Sequence, residues 1–132
     1  MRLFLSFTAL TLIAACAPEE VEPSADTQAA LSAELRNYEP AGEPVSCVNQ
    51  RDLRGNRSAG DALVFTGLGD RLWVNRPAAG CPGLDSGRTL VTRTTTTQLC
   101  RGEIVSIVDP VSGFSAGSCS LGDFVPYRRL PR

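Results

Sequence analysis

The chain predicts an all-β domain: a small five- to six-stranded barrel or sandwich with two disulfides, preceded by a signal peptide and a disordered tether. Three observations carry that expectation. From residue 47 onward, runs rich in β-branched and aromatic residues recur between Gly- and Pro-rich turns. No window there has the 3.6-residue apolar period of a helix. Four cysteines, Cys47, Cys81, Cys100 and Cys119, punctuate the same stretch, and an even number in a small exported domain reads as a disulfide framework.

Met1 and Arg2 give a short positive start, and residues 3–15 are apolar except for Ser6, Thr8 and Thr11. About 13 residues at 1.5 Å each cannot span a hydrocarbon core. They match the hydrophobic region of a signal peptide, so residues 1–15 are assigned to one. Leu12-Ile13-Ala14-Ala15-Cys16 resembles the lipobox of bacterial lipoproteins. The resemblance implies that the Cys16 thiol receives a diacylglycerol, that cleavage falls before it, and that the new amino terminus is acylated. Two or three acyl chains anchor stably where one is marginal. Ala17 is not aspartate, which by the same resemblance implies the outer membrane, with the domain facing the periplasm. The competing reading is an ordinary secretory peptide ending at an Ala-x-Ala-like site.

Residues 16–46 form an acidic tether. Between residues 17 and 46 stand seven acids and one base, Arg36. From residue 47 to 132, eleven arginines outnumber seven acids by four. Solubility and a self-repelling linker account for the asymmetry; contact with anionic headgroups or polyanionic envelope sugars is the sharper alternative. The tether is rich in Pro, Ala and Glu and should be largely disordered. Residues 27–38 are the exception, a short helix with Asp26 as cap and Leu31, Leu35 and Tyr38 on one face. Nucleic acid is not an expected partner, since no aromatic-basic motif supports it.

Residues 47–132 form the β domain. Residues 51–57 supply an edge strand. Residues 61–68 (DALVFTGL) place Leu63 and Phe65 on one face and Val64 on the other. A turn at 67–70 joins them to 71–76 (RLWVNR), the hairpin partner. Residues 77–87 are a Gly/Pro loop. Residues 89–99, dominated by threonine, read as one strand. Residues 103–109 (EIVSIVD) are apolar on both faces and read as a central strand. Residues 110–118 form a second loop, and residues 119–127 close the domain with Gly122 as a bulge site. About 85 residues bury a modest core, so staples matter. Four cysteines allow three pairings, and sequence alone does not choose among them.

The elements Gly80-Cys81-Pro82-Gly83-Leu84, Gln98-Leu99-Cys100 and Cys119-Ser120-Leu121-Gly122-Asp123-Phe124, following Cys47, Arg51-Asp52-Leu53 and Ala62-Leu63-Val64-Phe65, resemble a proteobacterial family of small exported proteins classed as a domain of unknown function. The resemblance covers residues 47–127. It implies export and paired cysteines, and brings no activity, cofactor or catalytic residue. Shorter members keep counterparts of Cys81 and Cys119 alone, which implies Cys81–Cys119 together with Cys47–Cys100.

Missing residue types exclude much chemistry. The chain has no histidine, and all 13 basic residues are arginine. Ser-His-Asp and Cys-His machinery is excluded, as are lysine Schiff bases and Walker lysines. No Cys-x-x-Cys is present, and cysteine gaps of 34, 19 and 19 residues do not suit a zinc site. No metal or other cofactor is expected. Asp85, Glu103, Asp109 and Asp123 are the plausible acids or bases. Two converging carboxylates would suit a hydrolase, whereas Asp beside turns ordinarily serves local hydrogen bonds. Trp73 reads as core before it reads as a binding aromatic, and Thr94-Thr95-Thr96-Thr97 as an edge strand before a hydroxyl array. The functional expectation is a lipid-anchored envelope binding or structural module whose partner is an envelope protein or polymer. A protein inhibitor of an envelope or host hydrolase, presenting loop 77–87 or 110–118, is the alternative, and a carboxylate hydrolase is the third reading.

Overall fold

The computed structural model describes residues 22–84 and 87–132. The expected signal peptide, Cys16 and Asp85 lie outside the described residues.

Helix α1 (Ala25–Glu34) opens on Ser24, whose hydroxyl oxygen accepts from the Thr27 N–H at 3.3 Å. Asp26, expected as the cap, stands in the first turn, where a carboxylate complements the helix dipole. Ten strands follow among the described residues: β1 (Tyr38–Pro40), β2 (Cys47–Asn49), β3 (Leu53–Ala59), β4 (Ala62–Gly67), β5 (Arg71–Asn75), β6 (Thr89–Thr92), β7 (Gln98–Cys100), β8 (Ile104–Val108), β9 (Ser115–Ser120) and β10 (Phe124–Arg129). They form three antiparallel sheets, β1-β10-β5-β4-β3, β2-β7 and β6-β8-β9, and do not close into a barrel.

Period-two alternation explains how the five-stranded sheet serves two cores. Leu63, Phe65 and Phe124 point into the main core, with Val48 and Leu99 from the two-stranded sheet and Leu90, Val105 and Ile107 from the three-stranded one. Val64, Leu72 and Val74 point the other way and meet Leu31 of α1. The β3–β4 turn places Gly60 at φ +61° against Thr27, where a side chain would collide with the helix. The Thr27 hydroxyl oxygen accepts from the Asp61 N–H at 3.0 Å. A ten-residue helix is marginal alone; this one is held by a buried Leu31, worth roughly 1.5–3 kcal/mol.

Among the described residues the folded part therefore extends upstream of Cys47 to Ser24. Strand β1 pairs with β10, and Val45 bridges to Phe124. Two tether acids find domain arginines: Glu34 with Arg57 at 2.6 Å and Glu39 with Arg128 at 2.7 Å. Both pairs are partly exposed and worth little; they accompany the docking rather than drive it.

Other differences have local causes. Residues 89–99 are two strands, because the Thr94 and Thr96 hydroxyls bond the backbone of Thr96 and Gln98 and bend the chain between them. Strand β8 is central as expected but buries one face only: Val105 and Ile107 are inside, while Ile104 faces solvent. Residues 119–127 split between two sheets, and Gly122 stands in the corner between β9 and β10 instead of in a bulge. The edge position of β3 and the 67–70 turn follow the sequence reading.

Candidate interaction surfaces

Both disulfides are formed. Cys47 pairs with Cys100, its cross-strand neighbour between β2 and β7, and Cys81 pairs with Cys119 inside the main core. That is the pairing the family resemblance implies. Two disulfides mark an exported protein of an oxidising compartment. Among the described residues no helix is long and apolar enough to cross a membrane.

Of the three candidate carboxylates among the described residues, Asp109 stands apart from Glu103 and Asp123. Glu103 and Asp109 flank opposite ends of β8, about 20 Å apart at 3.3–3.4 Å per residue. Glu103 accepts from the Cys100 N–H at 2.6 Å and so closes the β7–β8 turn. Asp123 pairs with Arg101 at 3.2 Å on open surface. Asp109 accepts from Val111 and Ser112 N–H groups. Each therefore supports a turn or a surface ion pair. Trp73 is half-buried against the main core, beside Phe65 across the β4–β5 pair. Among the described residues no three metal-ligating side chains cluster, and no buried side-chain polar atom lacks a partner.

The clearest surface feature is the β8–β9 hairpin tip, residues 109–114. Asp109 organises it through four hydrogen bonds. Its N–H donates to the Phe114 carbonyl at 3.0 Å, and its carbonyl accepts from the Gly113 N–H at 2.8 Å. Its Oδ1 accepts from Val111 at 2.8 Å and from Ser112 at 3.0 Å. The Ser112 amide first, then that of Val111, holds the Asp109 carboxyl below its ordinary pKa, against a small opposing effect of burial. Gly113 at φ +73° lets the loop turn back. The loop so fixed presents Val111 at 95% and Phe114 at 78% exposure. Neither residue is singled out by sequence reasoning; the partial signal is two large apolar residues inside a run of turn formers. The loop at 77–87 is different. Its described residues Cys81 and Leu84 turn into the core, and it lies against β9, with Pro82 and Gly83 meeting Gly117 and Ala116.

A second feature is an open seam between β3 and β6, the facing edges of two sheets that do not pair with each other. It encloses about 200 Å³ lined by Gln50, Leu53, Gly55, Asn56, Phe65, Leu90, Thr92 and Leu99. A larger hollow of about 440 Å³ lies between Asn37 and the C-terminal residues 129–132. No protein-family model, curated protein or solved structure matches the chain.

Proposed function

We propose that this protein is a lipid-anchored module of the bacterial cell envelope that binds a partner protein through the 109–114 hairpin tip. The observation that carries the reading is a loop tied by hydrogen bonds to Asp109 that displays Val111 and Phe114 to solvent. Exposed large apolar side chains on a preorganised loop are the usual anchors of protein interfaces, because little entropy is lost on binding. The lipobox-like residues ending in Cys16 support the anchor, and the two disulfides agree with export. Ser24, the cap of α1, is only eight residues from Cys16, which bounds the distance between anchor and helix at about 30 Å. The domain then works close to the bilayer it is tied to, at the outer membrane on its periplasmic side.

Two experiments test the halves separately. Mass spectrometry of the N-terminal peptide from native cells should show acylated Cys16, absent in Cys16→Ser. Photo-crosslinking from position 114 in living cells should capture one envelope protein. A second reading, inhibition of an envelope or host hydrolase, draws on the same protruding loop. It predicts that the captured partner is a hydrolase whose activity the purified chain lowers and Phe114→Ala restores.

A further inference from the structure

The seam between β3 and β6 shares no residue with the 109–114 hairpin tip. Among the described residues, β3 is the last strand of its sheet and pairs with β4 alone. Arg54, Gly55, Asn56 and Arg57 along it are all exposed, so its outer edge offers unpaired backbone N–H and C=O groups to any incoming strand. Below that edge lies the seam. Polar Gln50, Asn56 and Thr92 line it together with Leu53, and the buried Phe65, Leu90 and Leu99 lie behind them at the margin of the main core. An edge that invites backbone pairing, beside a hollow about large enough for one or two apolar side chains, is the arrangement used in strand addition: the ladder supplies affinity and the pocket reads alternate residues.

The charge around the seam selects the ligand. Arg51 precedes β3, Arg54 stands at the irregularity between Leu53 and Gly55, and Arg93 follows Thr92 at the end of β6. None of the three has an ion pair with a described residue, whereas Arg57, further along the strand, is already paired with Glu34. Asp52 is the single acid among them in sequence. Arg54 on the edge strand, with Arg51 and Arg93 next in sequence to the lining residues Gln50 and Thr92, makes the surroundings of the seam cationic and favours a carboxylate-bearing peptide. We infer that the β3–β6 seam binds an extended, acidic segment of a partner protein, which adds as a strand to β3 and places an apolar side chain against Phe65, Leu90 and Leu99.

Selection of a phage-displayed random decapeptide library on the immobilised full chain tests this. Enriched peptides should alternate apolar residues with Asp or Glu. A synthetic copy should shift the backbone amides of β3 and β6 and leave those of residues 109–114 unmoved. Arg54→Glu combined with Arg93→Glu alters two exposed side chains, so it should leave thermal unfolding unchanged while weakening the peptide at least tenfold. A charge-swapped peptide with Arg for Asp and Glu should regain binding to that variant. N-methylation of alternate peptide amides should abolish binding, an effect that mere charge attraction does not produce. Enrichment of neutral or basic peptides, binding that survives the double reversal, or shifts centred on the hairpin would overturn the inference. So would a chain already dimeric through β3, or a seam that accepts peptide only after residues 16–22 are deleted; the arginines would then guard an edge that another copy or this chain's own acidic segment covers.

Discussion

The Asn75 side chain closes both hydrogen bonds of the Gly122 backbone: Nδ2 donates to the Gly122 carbonyl at 2.7 Å, and Oδ1 accepts from its N–H at 2.9 Å. Asn75 is fully buried at the end of β5, and Gly122 sits in the corner where the chain leaves the three-stranded sheet for the five-stranded one. A carboxamide can satisfy a donor and an acceptor at once, which no hydrophobic residue of that size can do. Any side chain at 122 would collide with the Arg76 carbonyl oxygen. Asn75→Ala, which strands two backbone groups, should cost about 2–4 kcal/mol in urea unfolding. Gly122→Ala should cost a similar amount, and the double variant should cost clearly less than the sum of the two. Full additivity would mean that the two residues act separately.

The disulfides should differ in accessibility. Cys81 and Cys119 are buried in the main core, while Cys47 and Cys100 are half-exposed on the short β2–β7 ribbon. Thiol attack needs access, so graded reductant should open Cys47–Cys100 first, as read by alkylation and peptide mapping. Each bond should contribute about 2–4 kcal/mol.

Proteolysis checks where the fold begins. Trypsin has a site at Arg36, between α1 and β1. Because α1 is docked through Leu31 and Thr27, cleavage there should be slow, and a protease of broad specificity should trim to near Ser24. Leu31→Ala, removing a buried side chain at a cost of about 2–4 kcal/mol, should expose Arg36 to rapid cutting.

The Asp109 carboxyl titrates below its ordinary value because the Ser112 and Val111 amides hold its charged form. Its folded pKa is thus lower than its unfolded one. The added order of the hairpin is fully present above the unfolded pKa, near 3.9, and is lost as pH falls through the folded one. Following the Val111 and Ser112 amide resonances from pH 6 to 2 should show a midpoint below that value. Asp109→Asn keeps an acceptor oxygen and should flatten the titration while retaining the loop.

The sequence makes the all-β class legible because alternation at Leu63, Val64 and Phe65 and at Leu72, Trp73 and Val74 marks opposite faces. It also locates the β4–β5 turn, where Asp70 takes φ +58°. Long-range partners are what it conceals. Nothing local says that Leu31 meets Val64, that β1 pairs with β10 across 91 residues between Tyr38 and Arg129, or that residues 119–127 divide between two sheets. The threonine run misleads for a different reason: β-branched residues favour strands, but here their hydroxyls bond the local backbone and bend it. The hairpin tip is only half legible. Turn formers mark the loop, but the exposure of Val111 and Phe114 depends on which face of the neighbouring sheet is covered.

The most direct measurement is photo-crosslinking in living cells at native expression, with the probe at position 111, at position 114 and, as a control, at Leu68 in the β4–β5 turn. Positions 111 and 114 should capture the same single envelope protein, and position 68 should not. Absence of any protein adduct at 111 and 114, with the chain shown to be present and oxidised, would contradict a protein-binding role for the hairpin, as would equal capture at all three positions.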